Sequence, residues 1–528
     1  MTKKGLAKNM WVLSVVIIVA IAALSTYYYY STLPTPSTKV LRIALGIDPE
    51  RSEDPQQSGD SISQSVSEHI FQTLVDFDFS TGAAEIVPRL AISWEQYNET
   101  FYEFKLRQGV KFSDGHDFAA DDVLYTWDRF LHPEEYGLPV PFKAGFYKPF
   151  ERIEKVDDYT IRLGGELPTG VTPANLNHVC TAILPSTGKL VGTGPYKWGE
   201  HIEGERLVLE RNELYWGDKP YFDELVYIPI SDTSSRMIAL ETDTVDVAID
   251  VPPYEIERLE GEGLKIVSEL TTRNMFFYYN LVNGPCTDVR VRRALNYAID
   301  REEICETLFG GMAKPCNGVL NALVFGTDDV WREDFFDYNP DKAKELLAEA
   351  GYAEGEIKLK LVGPDGRYMF DRDTVTLIAG YFNEIGVETE VEVTEWGSYW
   401  NMFIEGARAV FNGEQESFDW DLAYLGISAD NLDADHEMQT LWTTGQICCN
   451  MNNFSDPRMD EYRIEGLQEL DPDKRLATYK EATDLVLELC PQLWLFHMPY
   501  VFGTQPNIEG CEGDPIGKYH FWRAYEIS

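Results

Sequence analysis

Between Asp373 and Val393 the sequence changes period, and no other feature constrains the fold as strongly. A segment of helical pattern gives way at Gly386 to one in which Val387, Val391 and Val393 alternate with Glu388, Glu390 and Glu392. The first period suits an amphipathic helix and the second a half-buried strand. A helix running directly into a strand implies α/β layers, which an all-α or all-β chain would not need. Lys39–Leu45 predicts a first strand. Thr100–Arg107 predicts another, with Phe101, Glu103, Lys105 and Arg107 on one face and Tyr102, Phe104 and Leu106 on the other. Asp114-Gly115 then supplies a tight turn, and Leu124, Trp127 and Leu131 recur at helical spacing. Two later helices carry legible starts. Asn339-Pro340 opens one over Asp341–Ala350, with Ala343, Leu346, Leu347 and Ala350 on one face and Gly351 as its stop. Asp471-Pro472 opens another that runs to about Cys490, with Leu476, Tyr479, Thr483 and Leu487 along one side.

The N-terminus says where this layered body works. Lys3, Lys4 and Lys8 precede an apolar run from Met10 to Leu24, followed by Tyr27–Tyr30 and a Ser/Thr/Pro spacer to Thr38. That order reads as an export signal or a single membrane anchor. Met10–Tyr30 is long enough to cross about 30 Å of hydrocarbon, whereas Ala20 and Ala22 leave room for signal cleavage. We expect the uncleaved anchor, with the lysines inside and everything after Lys39 outside. The alternative is a secreted or periplasmic product. The 528 residues predict three or four domain-sized units at roughly 150 residues each. With 45 Lys and Arg against 88 Asp and Glu, the net charge is −43. So acidic a chain lacks the basic face that nucleic acid or anionic lipid requires.

Motifs for chemistry are largely absent. His436-Glu437 is not followed by the second His of a zinc-protease helix, and no phosphate loop, dinucleotide fingerprint or nucleophile elbow occurs. Gly192-Thr193-Gly194-Pro195-Tyr196 lacks the Lys of a phosphate loop, and Pro195 removes an N–H a cradle would use, so it reads as a structural turn. Asp430, Asp433 and Asp435 form an acidic cluster without the Gly and terminal Glu of a calcium loop. The eight His are scattered singly, each expected to be structural, and no Cys pair has zinc spacing. No catalysis, metal or cofactor is expected.

The motifs that do occur resemble one family. Leu90-Ala91-Ile92-Ser93-Trp94-Glu95, Phe104–Gly115 (FKLRQGVKFSDG) and Ala120-Asp121-Asp122-Val123 resemble the signature of the extracytoplasmic solute-binding proteins of family five, the oligopeptide-, dipeptide- and nickel-binding components of ABC importers. The resemblance continues through Gly192–Tyr196, Leu209-Glu210-Arg211-Asn212, Asp288–Leu295 (DVRVRRAL), Tyr338-Asn339-Pro340 and Pro491-Gln492-Leu493-Trp494. It covers nearly everything after about residue 40. Most of these segments are expected to hold the architecture without touching ligand.

The resemblance implies a type II periplasmic-binding-protein fold, with two α/β lobes around a ligand cleft and a subdomain inserted in the first. It places lobe I at 39–82, 188–279 and 498–528, the insertion at 83–187 and lobe II at 280–497. It implies a monomer that captures peptides outside the cell and hands them to a membrane permease driven by its ATPase. The alternatives are an oligosaccharide or chelated nickel on the same fold, or a surface sensor. Family members hold a peptide's α-amino group with an Asp, whose counterpart in Gly426-Ile427-Ser428-Ala429-Asp430 is Asp430; Ile427 stands where the family has an aromatic. Arg367 and Arg372 are candidates for a peptide carboxylate, which a guanidinium binds with two parallel hydrogen bonds. Trp396, Tyr399 and Trp400 are candidates for stacking on peptide side chains or sugar rings. Asp433 and Asp435 are expected on a solvated loop beyond the site. Two Pro-Cys loops near the start of lobe II lead to the expectation of a Cys286–Cys316 disulfide.

Overall fold

The structure, a computed structural model, describes residues 38–527 except 50–53, 58–60, 81–83, 140, 142–149, 171–172, 328–334, 415–417 and 447–448. The expected N-terminal anchor therefore lies outside the described residues. No described helix is long and apolar enough to cross a membrane.

Two long strands organise the molecule. Lys265–Tyr279 and Gln492–Thr504 pair antiparallel, from Lys265 opposite Thr504 to Tyr278 opposite Gln492. At one end Gln492–Thr504 also pairs with Val247–Ile249, which leads to Val40–Leu45, Glu224–Pro229, Arg206–Arg211 and the edge strand Tyr196–Ile202. At the other end Lys265–Tyr279 pairs with Leu422–Ile427, which leads to Lys358–Asp365 and the edge strand Glu388–Glu395. The register slips between Leu270 and Asn274, where the two wings meet. Such a bulge bends a strand and re-aims its side chains. Here it leaves Thr271 and Thr272 buried and turns Arg273 toward the space between the wings.

The sequence periods become structure much as read. Lys39–Leu45 yields the strand Val40–Leu45. Thr100–Arg107 becomes Phe101–Leu106, with Phe104 and Leu106 buried. Asp371–Glu384 is a helix that hands over at Gly386 to the edge strand Glu388–Glu395. The helices Pro340–Glu349 and Pro472–Leu489 start where their Asn-Pro and Asp-Pro pairs put them, with Asn339 and Asp471 accepting from backbone N–H groups of the first turn. Residues 74–191 carry their own apolar cluster, in which Phe104, Phe112, Trp127, Ile161 and Leu163 pack under a four-stranded antiparallel sheet.

Two family motifs serve the architecture. Gly194 N–H and Tyr196 N–H donate to Ile70 O and His69 O, fixing the Gly192–Tyr196 turn. A Cβ on Gly192 would stand 1.9 Å from Ile70 O, so nothing larger fits. Arg292, from the Arg-rich helix Val289–Tyr297, donates to Cys286 O, Leu489 O and Cys490 O, so it stitches the end of one helix to the start of another. Nearby, the expected Cys286–Cys316 disulfide is corrected: both are buried free thiols. Burial raises both thiol pKa values, so each behaves as a small packed hydrophobe.

Candidate functional site

The space between the wings narrows to a cavity of about 90 Å³ lined by Ser61, Gln64, Arg273, Arg367, Tyr368, Trp396, Trp400, Gly426, Ser428, Asp430, His436 and Cys449, among others. A second chamber of about 50 Å³ shares Ser61, Arg273, Arg367 and Tyr368. Outside lies a wider groove of about 560 Å³.

Volume alone would favour the outer groove, since ligand pockets run to about 300–1,000 Å³. Several of its charges are already in use, however. Asp232 and Glu395 cap helices, and Asp371 accepts from the backbone N–H groups of Arg367, Tyr368 and Arg372. Burial, outweighing those bonds, pushes the Asp371 carboxyl up to about 6. Arg372 is exposed and paired with Asp365 on the groove wall. Arg372, the other candidate for a peptide carboxylate, thus stands on the outer groove and does not line the inner cavity.

Inside, the situation differs. Arg367 is buried and Arg273 half-buried, and neither makes an ion pair with any described residue. Both Nη2 groups donate to one oxygen, Ser61 Oγ, at 3.1 and 2.9 Å. Burial, with the neighbouring Arg367 charge adding to it, lowers the pKa of Arg273. The Arg367 guanidinium lies over the Tyr368 and Trp396 rings, at 4.9 and 5.2 Å from their centroids, and its Nε has no acceptor among the described residues. Two desolvated guanidiniums sharing one hydroxyl are costly unless an anion joins them. Ser428 Oγ, on the same cavity, is likewise buried without a described partner.

The opposite charge lines the same cavity. Asp430 follows the strand Leu422–Ile427, and its side chain is only 14% exposed. Its Oδ2 lies 3.4 Å from His178 Nε2 and 3.5 Å from His436 Nε2. Gly426 lets strand and bulge approach, because a Cβ there would meet Met275 Sδ at 2.3 Å.

Of the residues singled out in the sequence, Asp430, Arg367, Trp396 and Trp400 line this cavity. Tyr399 does not. It is fully buried one layer behind, with its hydroxyl donating to Tyr424 O and its ring stacked on Phe403. Helical period explains this, since Tyr399 and Phe403 form the core-facing row of the helix Trp396–Phe411. Asp433 and Asp435 are not on a solvated loop either. Asp433 binds Arg475 with both oxygens, at 2.6 and 2.7 Å, and Asp435 lies fully buried near Arg463. Arg273, Ser61, His178 and His436 escaped the sequence reading. Only Arg273 left a trace, a charge at the head of the apolar run Met275–Tyr279.

A family model described as bacterial extracellular solute-binding proteins, family 5 middle, matches residues 85–447. The dipeptide-binding protein of Escherichia coli K12 is 26% identical over 485 residues, covering 84% of this chain and 87% of its own. A periplasmic binding protein, DppA from Helicobacter pylori in complex with the peptide STSA, superposes with TM-score 0.79 at 26% identity, over 92% of this chain and 98% of that one. NikA from Staphylococcus aureus with Ni(L-His)2 superposes with TM-score 0.78 at 19% identity, over 93% and 100%.

Proposed function

The chain belongs to the bacterial extracellular solute-binding proteins of family 5, with their type II periplasmic-binding-protein fold, and we propose that it captures short peptides and delivers them to an ABC importer. Members of the family are binding proteins that work outside the cytoplasm. One observation carries the peptide reading: a single cavity is lined at once by the Asp430 carboxylate and by two guanidiniums without carboxylate partners among the described residues. A peptide is a zwitterion and complements that pattern, with its ammonium toward Asp430 and its carboxylate toward Arg367 and Arg273. In this reading Trp396 and Trp400 wall a side-chain space, and the outer groove is the way in.

The lobes follow the division 39–82, 188–279 and 498–528 against 280–497, with 83–187 inserted, and they close about the bulge at Leu270–Asn274. The partners are a membrane permease and its ATPase, the protein acts as a monomer, and the N-terminal apolar segment tethers it to the outer face of the membrane. An oligosaccharide ligand is less well supported. The Trp396 and Trp400 rings stack on each other at 5.2 Å, and Arg367 lies over Trp396, so little ring face remains for a sugar.

Native mass spectrometry of the protein as purified from cells tests the proposal. Co-purified short peptides are the expected result. A sugar or a nickel chelate in their place would overturn it.

A further inference from the structure

Asp430 is held from two sides. His436 comes from the helix Asp435–Trp442, close to Asp430 in the chain, whereas His178 comes from the inserted subdomain. Both Nε2 atoms approach the same oxygen, Oδ2, at 3.4 Å for His178 and 3.5 Å for His436. The proton on His178 can be placed. Its Nδ1 accepts the backbone N–H of Cys180 at 3.1 Å, closing a turn, with Cys180 Sγ at 3.0 Å. A ring nitrogen that accepts carries no proton, so neutral His178 carries its proton on Nε2, facing the carboxylate. To become a cation the ring would have to give up the turn it closes.

The same two segments are tied twice more. Asn431 Nδ2 donates to Asn175 Oδ1 at 2.5 Å, and Gly170 N–H donates to Leu467 O at 2.7 Å. Asn175, His178 and Asn431 are all buried. Insert and second lobe therefore meet at the carboxylate itself.

We propose that His178 is a positioning residue for ligand binding: as the Nε2–H tautomer it orients Asp430, so the ammonium anchor is complete only when the inserted subdomain is seated on the second lobe. This rests on the reading of Asp430 as the partner of a ligand ammonium. Specificity for a free amino terminus is then shared between two parts of the chain some 250 residues apart.

The test uses the tightest dipeptide found in a thermal-shift screen, together with its N-acetyl form, on the full chain by calorimetry. His178→Phe, which keeps ring volume and removes the donor, should weaken the free-amine dipeptide about tenfold and leave the acetylated form unchanged. His178→Gln, whose amide N–H reaches to a similar depth, should recover most of the loss. Equal losses for both forms, or no loss, overturn the proposal. If wild type binds the two forms equally, or the screen finds no dipeptide, the amine-anchor reading itself falls and takes this inference with it. Wild type supplies a measurement that needs no variant. Long-range 1H–15N spectra should show His178 as the neutral Nε2–H tautomer with and without dipeptide, and an Nδ1–H tautomer or an imidazolium at neutral pH overturns the assignment.

Discussion

At the scale of single residues, three aspartates that look alike in sequence have three different fates. Asp430 lines the cavity, Asp433 is consumed by Arg475, and Asp435 is sealed in beside Arg463. The functional roles therefore separate cleanly under mutation. Asp430→Asn should cost about a hundred- to a few-thousand-fold in peptide affinity, since removing one member of a buried pair costs about 3–5 kcal/mol. Its stability should hardly change. Asp433→Asn should show the reverse pattern, because it strands the buried Arg475 guanidinium, and a loss of about 3–5 kcal/mol in denaturant stability is expected. Calorimetry and urea titration on the same two variants decide the matter. If Asp433→Asn leaves stability untouched, the ion pair with Arg475 contributes nothing. Arg367 offers a second contrast. Arg367→Lys keeps the charge but loses the planar fork, so it should weaken a free-carboxylate peptide tenfold or more while sparing the peptide amide.

At the scale of elements, the family motifs proved to be joints. Gly192 is the clearest case, because its missing Cβ admits Ile70 O. Gly192→Ala must shift backbone, not a flexible side chain, so a destabilisation above about 2 kcal/mol is expected, with peptide affinity unchanged in the fraction that folds. A fully stable Gly192→Ala protein would show that the turn yields. These joints explain what could be read from sequence. The strand Phe101–Leu106, the helices Pro340–Glu349 and Pro472–Leu489, and the helix-to-strand switch at Gly386 all declare themselves within a few residues, because period, cap and turn are local properties. The site does not declare itself in that way. His178 and His436 are single histidines in sequence and meet at Asp430 only because two distant segments of the chain touch, while Arg273 enters the cavity only because a bulge turns it. Tyr399 went the other way, since it sits one row deeper than the two tryptophans on the same helix and is used up in the core. The thiols of Cys286 and Cys316 follow the same lesson, for nearby loops do not place two sulfurs within bonding distance.

At the scale of the whole molecule, the two wings share one sheet, so the closure proposed about the bulge would act on the same long strands that carry global stability. Ser61, the first residue of the helix Ser61–Glu68, accepts from Arg367 of the second wing and Arg273 of the bulge. Small-angle scattering should therefore show compaction when a peptide binds. Ser61→Ala should weaken that compaction, and an unchanged scattering curve with saturating peptide would rule out hinge closure.

Acid tests the shared sheet more severely. His69 is buried, with Nδ1 donating to Ser65 O at 2.7 Å and Nε2 accepting from Phe521 N–H at 3.2 Å; burial lowers its pKa to about 3. His497, on the long strand Gln492–Thr504, accepts from Asn321 Nδ2 at 3.1 Å through Nδ1, and burial lowers its pKa to about 4. Unfolded, both titrate near 6.5. Below that pH the unfolded chain takes up protons that the folded chain refuses. Stability is therefore complete above about pH 6.5 and is lost as pH falls, by about 3 kcal/mol for each group by pH 4. Asp371 works in the opposite sense. With its folded pKa raised to about 6, its burial cost is relieved as pH falls from 6 toward 4, which offsets about one of the two histidine losses. Among these three groups two losses face one gain, and variants separate the contributions. The stability advantage of wild type over His497→Gln should shrink by about 3 kcal/mol between pH 7 and pH 4 in urea titrations, whereas that of Asp371→Asn over wild type should shrink over the same range. A His497→Gln difference that stays constant with pH would mean that His497 is protonated in the folded protein, and the buried neutral imidazole would have to be abandoned.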